Sequence, residues 1–169
     1  VWISPSGSFR EFSYMLEDRK LPNYSGATIS QQANVVTLST PAINVIIEKS
    51  PVLRIVFRDK DGKTINEDES GKGFATSFLN GNITSYKHLQ DGERFIGLGE
   101  ALGNLDRRGT VVILRNTDTF NYGDSRLPMY VSIPFYMGIH HNLCYGLFYH
   151  NSYAGNFNFG AGNKRFMSI

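Results

Sequence analysis

Residues 129–149 read MYVSIPFYMGIHHNLCYGLFY, and the stretch divides at its middle. Met129, Val131, Ile133, Phe135 and Met137 alternate with Tyr130, Ser132, Pro134 and Tyr136. A period of two is the spacing of a strand, because successive side chains there point to opposite faces. Pro134 has no N–H to give a ladder, so this strand is expected at a sheet edge or with a bulge at that point. His140-His141-Asn142 reads as a turn. Leu143, Tyr145, Leu147 and Tyr149 then resume the alternation as a return strand.

The same period recurs upstream. Ile43, Val45 and Ile47 alternate with Asn44, Ile46 and Glu48; Leu53, Ile55 and Phe57 alternate with Arg54, Val56 and Arg58. Half-buried antiparallel strands read this way. Asp59-Lys60-Asp61-Gly62 supplies a turn between strands, with Gly62 free to take a positive φ. Short strands are also expected over Val35–Leu38 and Val111–Leu114. Helix signals are scarce. Ser8 with Glu11 fits a capping box, but Phe12, Tyr14 and Leu16 fit a strand, which is the preferred reading. Asn66–Gly73, with Glu67, Asp68 and Glu69 beside Gly71 and Gly73, reads as a solvated loop. Many short strands joined by Gly, Asn and Asp turns give an all-β, antiparallel β-sandwich.

Composition is consistent with that class. The 169 residues suit one domain, with 41% hydrophobic and 13% aromatic content. Aromatic rings pack well on pleated surfaces, and they also suit stacking on sugar faces. A net charge of +2 without a basic stripe gives no ground for nucleic acid as a partner. No apolar run approaches the length of a membrane helix, and no signal peptide is read. The start at Val1 and the end at Ile169 are read as the ends of a trimmed piece. The lone cysteine, Cys144, lies in an apolar run and is expected to be buried.

A search for reactive constellations returns little. There is no Gly-x-Ser-x-Gly elbow and no phosphate loop. Gly97-Leu98-Gly99 lacks the βαβ setting of a dinucleotide site. His140 and His141 are neighbours, and on a strand neighbours diverge, so they make a poor metal pair. No metal or other cofactor is expected. Glu100, Asp106, Asp118 and Asp124 are available carboxylates, but the sequence brings no two of them to a set separation.

Five segments in order carry a further signal. Phe95-Ile96-Gly97-Leu98-Gly99-Glu100 is followed by Leu105-Asp106-Arg107-Arg108-Gly109, then by Asn116-Thr117-Asp118. Tyr122-Gly123-Asp124 comes next, and then Met129–Gly138 with Tyr145–Tyr153. Their order and spacing, over roughly residues 30–160, resemble the N-terminal domain of family 31 glycoside hydrolases, the α-glucosidases among them.

The resemblance implies a galactose mutarotase-like β-sandwich (a supersandwich) over residues 30–169, with 1–29 as an N-terminal extension. It implies an intramolecular partner, a catalytic (β/α)₈ barrel that carries both catalytic Asp residues, so no catalytic residue is expected in this chain. It also implies that one sandwich loop reaches the substrate rim, where Asp118, with Thr117 and Asn116 beside it, meets an α-linked glucoside. A carboxylate suits that task because it accepts charge-assisted hydrogen bonds from two hydroxyls. The competing role for Asp118 is to cap its own turn. Arg107 and Arg108 are expected to be structural or interdomain, Gly97 and Gly99 to permit tight backbone packing, and Glu100 to be a buried structural carboxylate. Arg115 stands where many bacterial relatives carry an aromatic residue, which leaves the sugar preference open. Asn23-Tyr24-Ser25 and Asn82-Ile83-Thr84 match glycosylation sequons.

Two other functions remain compatible with the residues. One is a stand-alone carbohydrate-binding module, motivated by the aromatics. The other is a mutarotase-like epimerase, for which no His/Glu pair is found. With no barrel in the chain, an apolar face is expected to stand exposed and to favour self-association.

Overall fold

A computed structural model describes residues 3–4, 7–8, 14–16, 24–77, 79, 81–121, 123 and 128–169. Among these every regular element is a strand, and all pairings are antiparallel. The chain divides into two compact units, Val1–Ser85 and Tyr86–Ile169.

In the first unit, β1 (Thr28–Gln32), β2 (Val35–Ser39), β3 (Ile43–Glu48), β4 (Arg54–Asp59) and β5 (Thr64–Glu67) form a meander in chain order. The expected turn closes β4 onto β5. The Asp59 N–H donates to the Lys63 carbonyl at 2.9 Å, the Asp59 Oδ1 accepts from the Asp61 and Lys63 amides, and Gly62 takes φ 83°. β6 (Phe74–Thr76) pairs with the first half of β7 (Ile83–His88). Two expectations fail here. Ile55 and Val56 are both buried, so β4 is covered on both faces at its centre, while Leu53 is exposed. The stretch read as a solvated loop holds buried Asn66, Asp68 and Glu69. A buried carboxylate is costly unless donors surround it. The Ile55 amide supplies one to Asp68 Oδ2 at 2.8 Å, and the Arg54 Nε donates to the Asp68 carbonyl at 3.0 Å. The Arg54 guanidinium also pairs with Glu48 and Glu67. Charge composition alone cannot register such partners, which come from a neighbouring strand. At the N-terminus, Glu11 and Phe12 lie outside the described residues. Tyr14 stands in a bend and Leu16 in irregular chain, so no strand includes them; alternation without a ladder partner does not make a strand.

The second unit contains the rest of β7 and six further strands: β8 (Arg94–Gly99), β9 (Val111–Leu114), β10 (Ser132–His140), β11 (Leu143–Phe148), β12 (Gly155–Asn158) and β13 (Phe166–Ser168). One sheet has the order β11-β10-β8; in the other, β7 is followed by β13, β12 and β9. The sheets meet face to face through Phe95, Leu98 and Tyr136 on one side and Val112, Leu114, Phe157, Phe159 and Met167 on the other. Tyr136 packs edge-on to Phe95, Phe157 and Phe159, and its hydroxyl reaches the Met167 sulfur at 3.7 Å. This is an antiparallel β-sandwich, with aromatic pairs supplying the interdigitation between layers.

The expected hairpin forms, with β10 beginning at Ser132 and β11 ending at Phe148. β10 is the central strand of its sheet, and Pro134 is accommodated by a register shift between Ser132 and Tyr136 in the β10–β8 ladder. The bulge expectation therefore holds and the edge expectation does not. The turn is the pair His141–Asn142, both at positive φ (45° and 61°), the geometry of a two-residue hairpin loop. His140 is the last paired residue of β10, opposite Leu143, and is buried. The alternation left open which face is covered. Pro134, Tyr136, Gly138 and His140 face the core, whereas Val131, Ile133, Phe135, Met137 and Ile139 are 36–51% exposed. Cys144, opposite Ile139, and Phe148, opposite Phe135, extend this outward apolar face. Cys144 is thus exposed and not buried. An alternating pattern sets the period of a strand but leaves its phase to whatever packs on each side.

Candidate functional site

The segment after β9 carries the residues singled out for sugar contact. Asn116 and Thr117 fasten it to the approach to β10. The Asn116 Oδ1 accepts the Ser132 N–H at 2.9 Å. The Thr117 N–H donates to the Met129 carbonyl at 3.0 Å. The hydroxyls of Thr117 and Thr119 converge on the Pro128 carbonyl at 2.7 and 2.9 Å. The Tyr130 hydroxyl donates to the Thr119 carbonyl at 2.8 Å. Asp118 sits between these anchors, exposed, and its carboxylate makes no hydrogen bond or ion pair with any described residue. The Asn116 Oδ1 and the Thr117 amide and hydroxyl are thus engaged within the loop, whereas the Asp118 carboxylate stands exposed. Tyr122 and Asp124 lie outside the described residues.

The glycines before this segment act as read. A Cβ on Gly97 would stand 2.6 Å from the Phe135 carbonyl oxygen, and one on Gly99 2.6 Å from that of Val131, with φ at 130° and 80°. Only glycine lets β8 approach β10 so closely in this conformation. Arg107 and Arg108 are structural. Arg107 donates to the Ala101 and Leu102 carbonyls, and Arg108 to those of Gln90 and Glu93. Asp106 accepts the Phe95 and Arg108 amides. Glu100 is hydrogen-bonded, taking the Tyr130 N–H at 3.2 Å, but it is exposed and not buried.

The buried carboxylate of the region is Glu93, which no sequence motif marks. It is 1% exposed. Its Oε1 accepts the Tyr145 hydroxyl at 2.6 Å and its Oε2 the Gln90 N–H at 2.9 Å; His140 Nε2 lies 3.9 Å away. Burial raises the Glu93 pKa above its ordinary 4.5, opposed by those hydrogen bonds and by the charges of His140 and Arg108. The flanking sequence Gln90-Asp91-Gly92-Glu93 looks like a polar turn, and its one clue is that Phe95 and Leu98 follow at once.

Among the described residues no helix is long and apolar enough to cross a membrane, and no three His, Cys, Asp or Glu side chains are grouped to hold a metal ion.

Known proteins place this architecture. An α-glucosidase from Bacillus thermoamyloliquefaciens is 29% identical over 141 residues, covering 83% of this chain and 18% of the enzyme. A dextranase from Flavobacterium johnsoniae, solved with isomaltotriose, superposes with a TM-score of 0.85 at 32% identity, over 98% of this chain and 20% of that one. A cycloalternan-forming enzyme from Listeria monocytogenes shares the fold, with a TM-score of 0.75 at 20% identity over 90% of this chain and 14% of that one. The chain thus spans about a fifth or less of the length of these relatives. The profile of the glycosyl hydrolase 31 N-terminal galactose mutarotase-like domain matches residues 2–158, so the chain belongs to that domain family.

Proposed function

We propose that this domain serves a retaining α-glucosidase or related α-glycosidase in two ways without supplying a catalytic group. The domain covers residues 30–169, with 1–29 as an N-terminal extension. The segment 116–119 presents Asp118 at the rim of the substrate site, where its carboxylate accepts hydrogen bonds from sugar hydroxyls. The outward face of β8, β10 and β11 seats against the catalytic (β/α)₈ barrel. The relatives extend well beyond the fifth of their length that this chain spans, which leaves room for such a barrel.

The observation that carries the rim role is the exposed Asp118 carboxylate, without a described partner, on a backbone held by its neighbours. A carboxylate needed only to cap its turn would be bonded to it. The apolar outward face supports the seating, since a β-sheet face left to water is expected to be polar.

The test is Asp118→Ala in the full-length parent enzyme, with kcat/KM measured on isomaltotriose. Loss of a charged hydrogen-bond acceptor costs about 1.5–3 kcal/mol, so a fall of roughly ten- to a hundred-fold is expected. The melting temperature should not change. Unaltered kcat/KM would overturn the rim role. Exposed Tyr24, Phe120 and Tyr153 keep a second reading in view, a carbohydrate-binding module that acts alone. Saturable binding of isomaltotriose by the isolated chain would favour it.

A further inference from the structure

Phe120 is 80% exposed, two residues after Asp118. One exposed apolar side chain is ordinary on a protein surface. What distinguishes this one is the backbone beneath it. Thr119, between Asp118 and Phe120, is held from both ends: its carbonyl accepts the Tyr130 hydroxyl at 2.8 Å and its own hydroxyl donates to the Pro128 carbonyl at 2.9 Å. Thr117, on the other side of Asp118, is held by the Met129 and Pro128 carbonyls. A segment without regular structure has therefore been fixed by four hydrogen bonds. The two side chains flanking the central anchor are an unburied carboxylate and an unburied ring.

That pair of groups matches the two surfaces of a pyranose. The hydroxyl rim is polar and donates to carboxylates, while the ring face carries C–H groups and is apolar. An aromatic ring offers a flat apolar surface with few rotatable bonds, so little conformational entropy is lost on stacking. Fixing the backbone in advance lowers the cost of ordering further.

We propose that Phe120 is a specificity-determining platform, on which one glucose unit of an α-linked oligosaccharide stacks while Asp118 engages hydroxyls. The assignment rests on the reading of the segment that follows β9 as part of the substrate rim and adds to it a requirement for an aromatic ring at 120. Preference for oligosaccharides over single sugars follows, because the platform and the scissile bond then engage different units of one chain.

The experiment replaces Phe120 in the full-length parent enzyme by Ala, Leu, Tyr and Trp. KM and kcat are measured on isomaltotriose and maltotriose, and melting temperatures are recorded alongside. Removing the contact of one buried ring is expected to raise KM about ten-fold on the better substrate for both Phe120→Ala and Phe120→Leu. Phe120→Tyr and Phe120→Trp should restore KM to within about two-fold, a distinction that an apolar structural role would not make. Melting temperatures should match the parent throughout. A wild-type KM in Phe120→Ala or in Phe120→Leu overturns the platform. So does hydrolysis of neither trisaccharide by the parent. Asp118→Asn is measured in the same series. If it leaves kcat/KM intact while Phe120→Ala raises KM, the rim role of Asp118 fails and the platform stands. If Asp118→Asn lowers kcat/KM while the Phe120 variants do not differ from the parent, the reverse holds.

Discussion

The Tyr145 hydroxyl donates to Glu93 Oε1 at 2.6 Å, tying β11 to the turn that opens β8 across fifty-two residues of chain. Glu93 also accepts the Gln90 amide, and the Glu93 carbonyl accepts from Arg108. One buried carboxylate therefore organises the end of the sandwich at which His140 closes the hairpin.

Because burial raises the Glu93 pKa, the folded state holds its proton to higher pH than the unfolded chain does. The stabilising contribution of this group is present in full below the ordinary pKa of 4.5 and is lost as pH rises through the raised value. Denaturant titrations of the chain from pH 4 upward should show this loss, and Glu93→Gln should flatten it. Tyr145→Phe leaves the buried Glu93 Oε1 without its hydroxyl donor, with only the Gln90 amide still on Oε2, and should cost about 1–3 kcal/mol at neutral pH. An unchanged pH slope in Glu93→Gln would show that other groups set it.

Gly97 combines a φ of 130° with a carbonyl oxygen where a Cβ would lie. Gly97→Ala therefore meets backbone strain and overlap together, and a loss of about 2–4 kcal/mol is expected from chemical denaturation. Gly62→Ala, with open space around it, should cost less, about 1 kcal/mol from its φ of 83° alone.

The outward apolar face should make the isolated chain self-associate as concentration rises. Met137→Lys, which places a charge at the centre of that face, should shift sedimentation toward the monomer with a melting temperature within about 2 °C of the parent, since Met137 is not a core residue. The same substitution in the full-length enzyme should lower stability if the face is covered there. Equal tolerance in both settings would argue that the barrel seats elsewhere.

Asn116 offers a contrast with Asp118. Asn116→Ala removes the acceptor of the Ser132 amide, which should cost about 0.5–1.5 kcal/mol and loosen the segment. Activity of the parent enzyme should fall several-fold and the melting temperature should fall with it, whereas Asp118→Ala should lower activity alone. A joint fall in both variants would make Asp118 another fastening residue.

How much of this was legible beforehand depended on the range of the interaction concerned. Turns such as Asp59–Gly62 and strands such as β9 and β11 rest on residues close in sequence, and they appear where the alternation and turn chemistry put them. The glycine contacts at 97 and 99 were readable for a similar reason: a Gly-x-Gly in an apolar strand implies backbone proximity, although the partner strand lies more than thirty residues away. Burial of charge was not readable. Asp68 and Glu93 owe their positions to the Ile55 amide and the Tyr145 hydroxyl, which no local pattern connects to them. The phase of β10 escaped as well. Its inward set, Ser132, Pro134, Tyr136, Gly138 and His140, is the less apolar of the two, so hydropathy alone favours the opposite face. Asp118 is legible through its place in the Asn-Thr-Asp segment, while Phe120 is not, because an isolated aromatic has no spacing to detect.

The position of Cys144 beside Ile139 gives the outward face a reporter of its own. The sequence holds a single thiol, and it stands on the surface assigned to the barrel. A maleimide fluorophore should therefore label the isolated chain at one known point, with an emission that blue-shifts when the face is covered. Loss of labelling at this cysteine in the full-length enzyme would map the domain boundary by chemical footprint, without any variant having to be made.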